Sequence, residues 1–259
     1  MSQLIKEKFA IPLVVFAGLL WSFGPLVVRN MDEPGLVPWQ YLCGRGIVIF
    51  FLLNCYLFFE EGIKFYKNYL KIGISGIIGG VGLGTAMITF IWSITNTSVA
   101  ITLLCLAAMP FITSLLGFLF LREKISFSIW IAIIVATIGL GIMAFDSASL
   151  GSVNGLIFGI ASAFGFSIFS VSLRWRKETP KFTTVAVAGL FCFLFSTVII
   201  IQNDLNFLAS SKNEGLFAVH GTLVCLGLIL YSIGSKAIPA AELTLLSLTE
   251  VIGGIFWVW

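Results

Sequence analysis

The feature that most constrains the fold is a stretch of 50 residues, 72–121, that contains no charged side chain. Polar residues interrupt this stretch at 95–97, and an apolar run of 24 residues follows from Ser98 to Leu121. A helix of 24 residues rises about 36 Å, which is enough to cross the hydrocarbon core of a bilayer, about 30 Å thick. The stretch therefore predicts two consecutive membrane-spanning helices, the second with Pro110 in its interior.

The rest of the chain repeats this alternation of long apolar runs and short charged segments. Hydrophobic residues make up 59% of the chain and charged residues 10%, whereas a soluble domain carries about 25% charged residues. Such a composition cannot cover a water-exposed surface, so the predicted fold class is an all-α, polytopic membrane protein. The nine predicted spans are residues 9–28, 38–59, 72–94, 98–121, 126–145, 152–173, 182–202, 215–235 and 239–259.

The Lys and Arg residues indicate the orientation of these spans, because cytoplasmic loops carry an excess of both. With a cytoplasmic N-terminus, 12 of them fall on the cytoplasmic side and only Arg29 and Lys212 fall outside. Arg45 is left inside the membrane. The loops at 60–71, 122–125 and 174–181 are therefore predicted to be cytoplasmic, and those at 30–37 and 203–214 external.

The two parts of the chain show signs of an internal repeat. A shift of 145 residues places Ser22 on Ser167 and Gly44 on Gly189. Five spans in each part would insert the second part upside down, as in the inverted repeats of secondary transporters. The predicted repeats are 1–147, with five helices, and 148–259, with four. The second repeat is one helix short of the first, because either the sequence is truncated or the protein lacks a tenth helix. We expect the parent gene to continue beyond Trp259 for about one further span.

Several short motifs are similar to those of the EamA domain of the drug/metabolite transporter (DMT) superfamily. They are LLWSFGPLVVR with Trp21 and Arg29, then Arg45, AITLLCLAAMPFITSLLGFLFLREKIS, and AELTLLSLTEVIGGIFW, where Val251 replaces the usual proline of the family. The resemblance implies a ten-helix permease of the bacterial inner (plasma) membrane that works by alternating access. It further implies secondary transport of small organic metabolites, such as amino acids or their derivatives, with export as the common direction.

Two other functions remain open: an intramembrane lipid-modifying enzyme, and a non-transporting fragment or structural membrane subunit. Intramembrane enzymes need clustered His, Asp or Glu side chains, and the spans contain one histidine and no acidic pair, so no enzyme activity is predicted. The glycine-rich segment 79–84 lies inside a span, which argues against a nucleotide site. The sequence predicts no cofactor, metal site or nucleic-acid partner. It leaves a homodimer open.

Three side chains are candidates for a substrate cavity. Arg45 lies seven residues after the start of its span, where it either contacts an anion or carboxylate or reaches back to the outer headgroups. Glu250 is the most deeply placed acidic residue. It either carries the coupled proton or forms a structural hydrogen bond. Trp21 is deep enough in its span to contact substrate.

The remaining features have a structural alternative beside each functional one. Pro110 is either a gating element or a static kink. Trp92 and Tyr231 could stack on substrate, but they lie near span ends and are interpreted as interfacial belt residues. His220 is interpreted as a polar residue near the outer interface. Rows of small residues at four-residue spacing predict close helix packing, with a flexible hinge as the alternative. These rows are Gly76, Gly80 and Gly84, and Gly151, Gly155, Gly159 and Ala163.

Overall fold

The computed structural model describes residues 3–123, 127, 131, 134, 135, 138, 153–176 and 178–258. These residues form helices and connecting turns, with no β-strand among them. Eight stretches are long and apolar enough to cross a membrane, and they confirm eight of the nine predicted spans. The predicted fifth span, 126–145, lies mostly outside the described residues. The eight stretches are Phe9–Asn30, Pro38–Leu70, Gly73–Asn96, Val99–Leu121, Val153–Trp175, Lys181–Gln202, Ser211–Gly234 and Ala240–Trp257.

Five spans are built on one long helix each. Proline occupies the first turn of α3, where its missing N–H breaks no helical hydrogen bond. This helix ends at Gly62, whose φ of 61° is costly for residues with a side chain. The five helices are α3 (Pro38–Glu61), α5 (Gly73–Asn96), α8 (Val153–Trp175), α9 (Lys181–Gln202) and α10 (Ser211–Gly234). A 3-10 turn (Gly62–Tyr66) and the short α4 (Lys67–Leu70) follow α3.

The other three spans are each broken into two helices. They are α1 (Gln3–Trp21) with α2 (Gly24–Asn30), α6 (Val99–Leu106) with α7 (Met109–Leu116), and α11 (Ala240–Ser247) with α12 (Thr249–Val258). Helix α7 continues into a π-helical turn (Gly117–Leu121). Pro110 lies in the first turn of α7, so the predicted kink is a break between two helices. The break at Leu248 contains neither proline nor glycine. There the Thr249 hydroxyl donates to the Val15 carbonyl of α1 at 3.0 Å.

The contacts between spans come in matched pairs. Helix α5 packs on α8 and α1 packs on α10, while α5 contacts α9 and α10 contacts α3. Helices α3 and α9 pack on each other, and the broken fourth and last spans meet through α7 with α11 and α6 with α12. If the first four described spans are exchanged in order with the last four, each contact becomes itself or another contact of this set. The contact of α5 with α8, for example, becomes that of α10 with α1. Two halves related by a two-fold axis would pack in this way. The repeat boundaries, 1–147 and 148–259, stay a prediction.

Glycines allow the closest of these helix contacts. A Cβ on Gly46 of α3 would lie 2.8 Å from the Phe193 nitrogen and 2.9 Å from the Gly189 carbonyl, both in the backbone of α9. A Cβ on Gly80 of α5 would lie 3.0 Å from the Thr184 carbonyl. These distances support the packing interpretation of the glycine rows, because a side chain at these positions would force the backbones apart.

Candidate functional site

A cavity of about 70 Å³ lies among the helices, and the three predicted site residues Trp21, Arg45 and Glu250 all line it. His220 is a fourth polar residue in its wall. The volume has room for a few water molecules or a small chemical group. The rest of the wall is apolar and consists of Leu83, Ala86, Met87, Phe90, Leu106, Met109, Phe166, Val224 and Leu228.

Arg45 is 3% exposed and reaches from α3 into the cavity wall. Its Nη2 donates to the Met87 carbonyl of α5 at 3.0 Å, and its guanidinium carbon lies 5.4 Å from the ring centroid of Tyr41. Its Nε has no hydrogen-bond partner among the described residues, and none of their carboxylates lies within 4 Å. A buried cation with an unused donor and no counter-ion can accept an anionic ligand. The burial of Arg45 also contradicts the alternative that it reaches back to the headgroups.

His220 was wrongly interpreted as an interface residue, since it is 2% exposed and lines the cavity. Its Nδ1 forms a hydrogen bond with the hydroxyl of Tyr41. Glycine at position 24 leaves room for the imidazole, because a Cβ there would come within 3.0 Å of Nε2. Tyr41 and Arg45 are four residues apart on one face of α3, so the three side chains form a continuous polar cluster beside the cavity.

Glu250 lies in the first turn of α12, directly after the break at Leu248. The sequence placed it near the middle of an unbroken span, and the structure places it at the start of the second helix. No hydrogen bond or ion pair of its carboxylate is found among the described residues. The positive charge of Arg45, in the same cavity wall, attracts the Glu250 carboxylate. A carboxyl group here faces both an apolar wall and a buried cation.

Trp21 ends α1 and contributes an aromatic wall to the cavity. Its indole Nε1 donates to the Val224 carbonyl of α10 at 3.3 Å, and its ring lies 5.5 Å from those of Phe166 and Tyr231. Tyr231 is fully buried and shares a 2.7 Å hydrogen bond with Ser170. The belt interpretation of Tyr231 is therefore wrong.

All three helix breaks lie beside the cavity. Trp21 ends the first helix of one broken span, Leu106 and Met109 flank the break before Pro110, and Glu250 follows the third. Helix ends carry backbone groups that lack partners within their own helix, so the breaks bring polar backbone groups close to a cavity whose wall is largely apolar. Sequence reasoning located one of these breaks, through Pro110. The gating role of that proline stays a prediction.

The model of the EamA-like transporter family matches residues 8–145, which is more than half of the chain. The chain belongs to the EamA-like transporter family. The predicted family resemblance is thereby confirmed, and this EamA-like protein is a multi-pass membrane transporter. No group of three or more His, Cys, Asp or Glu side chains placed to hold a metal ion occurs in the described part of the chain.

Relatives from two bacterial species carry transporter names. The uncharacterized transporter YojE of Bacillus subtilis (strain 168) is 24% identical over 261 residues, covering 94% of this chain and 82% of YojE. An uncharacterized transporter of Helicobacter pylori strain J99 is 23% identical, with 96% and 85% covered. YwfM of B. subtilis is 23% identical over 65% of this chain, a match that spans 60% of YwfM.

A solved crystal structure shares the fold, with a TM-score of 0.69 at 19% identity. The similarity covers 96% of this chain and 87% of that one. The predicted fold class, an all-α polytopic membrane protein, is thereby confirmed.

Proposed function

We propose that this EamA-like protein is a secondary transporter of small organic metabolites that carry a carboxylate, such as amino acids or their derivatives, and that it works in the export direction. The observation that carries this proposal is Arg45, a cation in a cavity wall with an unused donor and no carboxylate within 4 Å in the described part of the chain. Burying a guanidinium is costly unless a partner offsets the loss of hydration. A substrate carboxylate supplies that partner.

The rest of the cavity supports an amino acid or a close derivative as the substrate class. Glu250 offers a carboxylate to a substrate ammonium group, and Trp21 and Phe166 offer an apolar wall to a side chain. A zwitterion would bridge the two opposite charges that the protein itself does not pair. The cavity of about 70 Å³ is small for a whole amino acid, so substrate entry requires the helices around it to move apart.

Alternating access is the mechanism that this architecture supports best. The cavity lies at three helix breaks, two in the first predicted repeat and one in the second, and the contacts between spans come in exchangeable pairs. Relative movement of two such halves would open the cavity to one side at a time. Glu250 is the proton carrier in this proposal, because a carboxyl group in an apolar wall favours its neutral form until a nearby cation or water stabilises the charge.

The first prediction concerns the carboxylate contact of Arg45. Arg45→Gln should weaken substrate binding by about 10- to 100-fold, because a hydrogen bond to a charged group contributes about 1.5–3 kcal/mol. Exchange of a panel of radiolabelled amino acids in proteoliposomes measures the effect, with exposed Arg122→Gln as the matched control. In the unaltered protein, amines that lack the carboxylate should fail to compete. Equal competition by amines and amino acids would contradict the proposal.

The second prediction concerns orientation, which we propose to be N-terminus cytoplasmic in the inner membrane. Single cysteines introduced as Asn206→Cys and Lys177→Cys into a version without other cysteines should differ in labelling by an impermeant thiol reagent. In intact cells Asn206→Cys should react and Lys177→Cys should not, because the Lys and Arg residues concentrate on the side of position 177. The reverse pattern would overturn the orientation.

A further inference from the structure

A second pocket, of about 390 Å³, lies at the ends of α8, α9 and α10 that are predicted to be cytoplasmic. Three cations line it, Arg174, Lys181 and Lys236, together with Leu173 and Ser235. We call it the basic pocket. Lys181 and Lys236 also line an adjoining pocket of about 320 Å³. Unlike the central cavity, the basic pocket has no acidic residue among the described residues of its wall.

Only part of the positive charge in the basic pocket is offset. The Nε of Arg174 lies 3.3 Å from a carboxylate oxygen of Glu123, and its Nη1 donates to the Ile238 carbonyl at 2.7 Å. Neither Lys181 nor Lys236 has a carboxylate within 4 Å among the described residues. Arg174 is therefore held in place by its own partners, while the two ammonium groups have no counter-ion among the described residues.

The two lysines are held at the pocket by neutral groups. The ammonium group of Lys181 donates to the Leu173 carbonyl, and that of Lys236 lies 6.0 Å from the ring centroid of Phe182. Lys236 and Arg174 both repel the charge on Lys181. Three like charges around one pocket are unfavourable unless an anion joins them.

Neighbouring acidic side chains form no ion pair with these lysines within 4 Å in the described part of the chain. Glu60 and Glu61 line the adjoining pocket. Glu60 accepts a 2.7 Å hydrogen bond from Tyr56, and Glu61 accepts one of 2.8 Å from Asn68. Both carboxylates are thus engaged by residues of their own segment.

We infer that the basic pocket binds a phosphate group on the predicted cytoplasmic side of the membrane. A phosphate offers several acceptor oxygens to Lys181, Lys236 and Arg174 at once. The headgroup of an anionic lipid and a soluble phosphate present the same chemistry. Basic pockets between helices at the level of the cytoplasmic headgroups suit the former. This site is separate from the transport cavity and does not depend on the proposed substrate.

The test uses the purified full chain in detergent micelles, titrated with three probes: short-chain phosphatidylglycerol, short-chain phosphatidylcholine and inorganic phosphate. Thermal unfolding and native mass spectrometry measure binding. Each lysine near an anionic headgroup contributes about fivefold to affinity, so Lys236→Gln should weaken phosphatidylglycerol binding about fivefold, and Lys181→Gln with Lys236→Gln about 30-fold. The matched control removes two exposed lysines from the same predicted side, Lys64→Gln with Lys67→Gln, and should leave binding unchanged.

The outcomes distinguish a lipid headgroup from a soluble phosphate, and they also test whether the basic pocket binds a phosphate group at all. Lysine-dependent binding of phosphatidylglycerol alone identifies a lipid headgroup site, and lysine-dependent binding of inorganic phosphate identifies a soluble ligand. Lys236→Gln removes an exposed side chain with no hydrogen bond among those found, so its result is independent of any folding defect caused by Lys181→Gln. The proposal is overturned if no probe prefers the unaltered protein to Lys236→Gln, or if the control variant loses as much binding.

Discussion

Gly46 and Gly189 bring the backbones of α3 and α9 into contact one residue away from Arg45. The third prediction follows from this approach. Gly46→Ala should lower the free energy of unfolding by about 1–3 kcal/mol, because the new methyl group would lie 2.8 Å from the backbone nitrogen of Phe193, which cannot rotate away. Thermal unfolding in detergent measures the change.

A helical glycine in open space provides the control for this substitution. Gly215 lies in α10, and no atom lies within 4 Å of the position that a new methyl group would take there. Gly215→Ala should be neutral or stabilising by up to about 1 kcal/mol, since alanine favours the helix. Similar destabilisation by both substitutions would contradict the packing account of the glycines.

A residue of the cavity could be predicted from the sequence only where its type is unusual at its position in a membrane span. Arg45 and Glu250 were identifiable because a charge inside an apolar span is rare. His220 was missed because its partner Tyr41 is 179 residues away, and no spacing connects them. The helical spacing of His220, Val224 and Leu228, all in the cavity wall, could have indicated a common face of α10.

At the scale of elements, the connection between α2 and α3 is fastened to the start of α10. Asn213 is 2% exposed, and its side chain donates to the Asp32 carbonyl and accepts from the Asp32 nitrogen, both at 2.9 Å. Lys212 and Ser210 hydrogen-bond to the Asp32 carboxylate and hold its pKa below the usual value. The two hydrogen bonds between the Asn213 side chain and the Asp32 backbone are partly buried, whereas the ion pair with Lys212 is exposed.

The fourth prediction is that Asn213→Ala releases this connection. Loss of two bonds that leave backbone groups unpaired should cost about 1–3 kcal/mol and raise hydrogen exchange across residues 31–37. Asp32→Asn should change the free energy of unfolding and the hydrogen exchange much less, because the exposed ion pair is screened by water. Because the pKa of Asp32 is lower in the folded than in the unfolded chain, its ion pair contributes to the free energy of unfolding at neutral pH. This contribution is lost only as the pH falls below about 4. Equal hydrogen exchange across residues 31–37 in Asn213→Ala and in the unaltered protein would contradict this account.

Span positions could be predicted from the sequence because a bilayer demands uninterrupted apolar runs, whereas helix breaks obey no such rule. Pro110 indicated one break through its missing N–H. The break at Leu248 depends on a hydrogen bond from Thr249 to Val15, a partner 234 residues away. Trp21 precedes a third break that the nearby Pro25 could have suggested.

At the scale of the whole molecule, the fold gathers helix breaks from both predicted repeats around one cavity. In the described part of the chain this cavity has one buried cation and one carboxyl without an ion pair. Exchange of substrate across the membrane needs only that the loaded cavity opens to each side in turn. Net accumulation driven by a pH gradient also needs a group that carries a proton in one direction. Glu250 is the carboxyl that lines the cavity.

The fifth prediction, and the most direct test of this account, compares these two activities in proteoliposomes for Glu250→Gln. A neutral glutamine keeps the shape of the side chain and an oxygen that can accept from the substrate ammonium group, but it cannot release a proton. Exchange of radiolabelled amino acids should therefore persist with weaker substrate binding, while accumulation driven by a pH gradient is lost. Glu242→Gln, at an exposed position in the first turn of α11, serves as the control and should retain both activities. Unchanged pH-driven accumulation in Glu250→Gln would contradict the account.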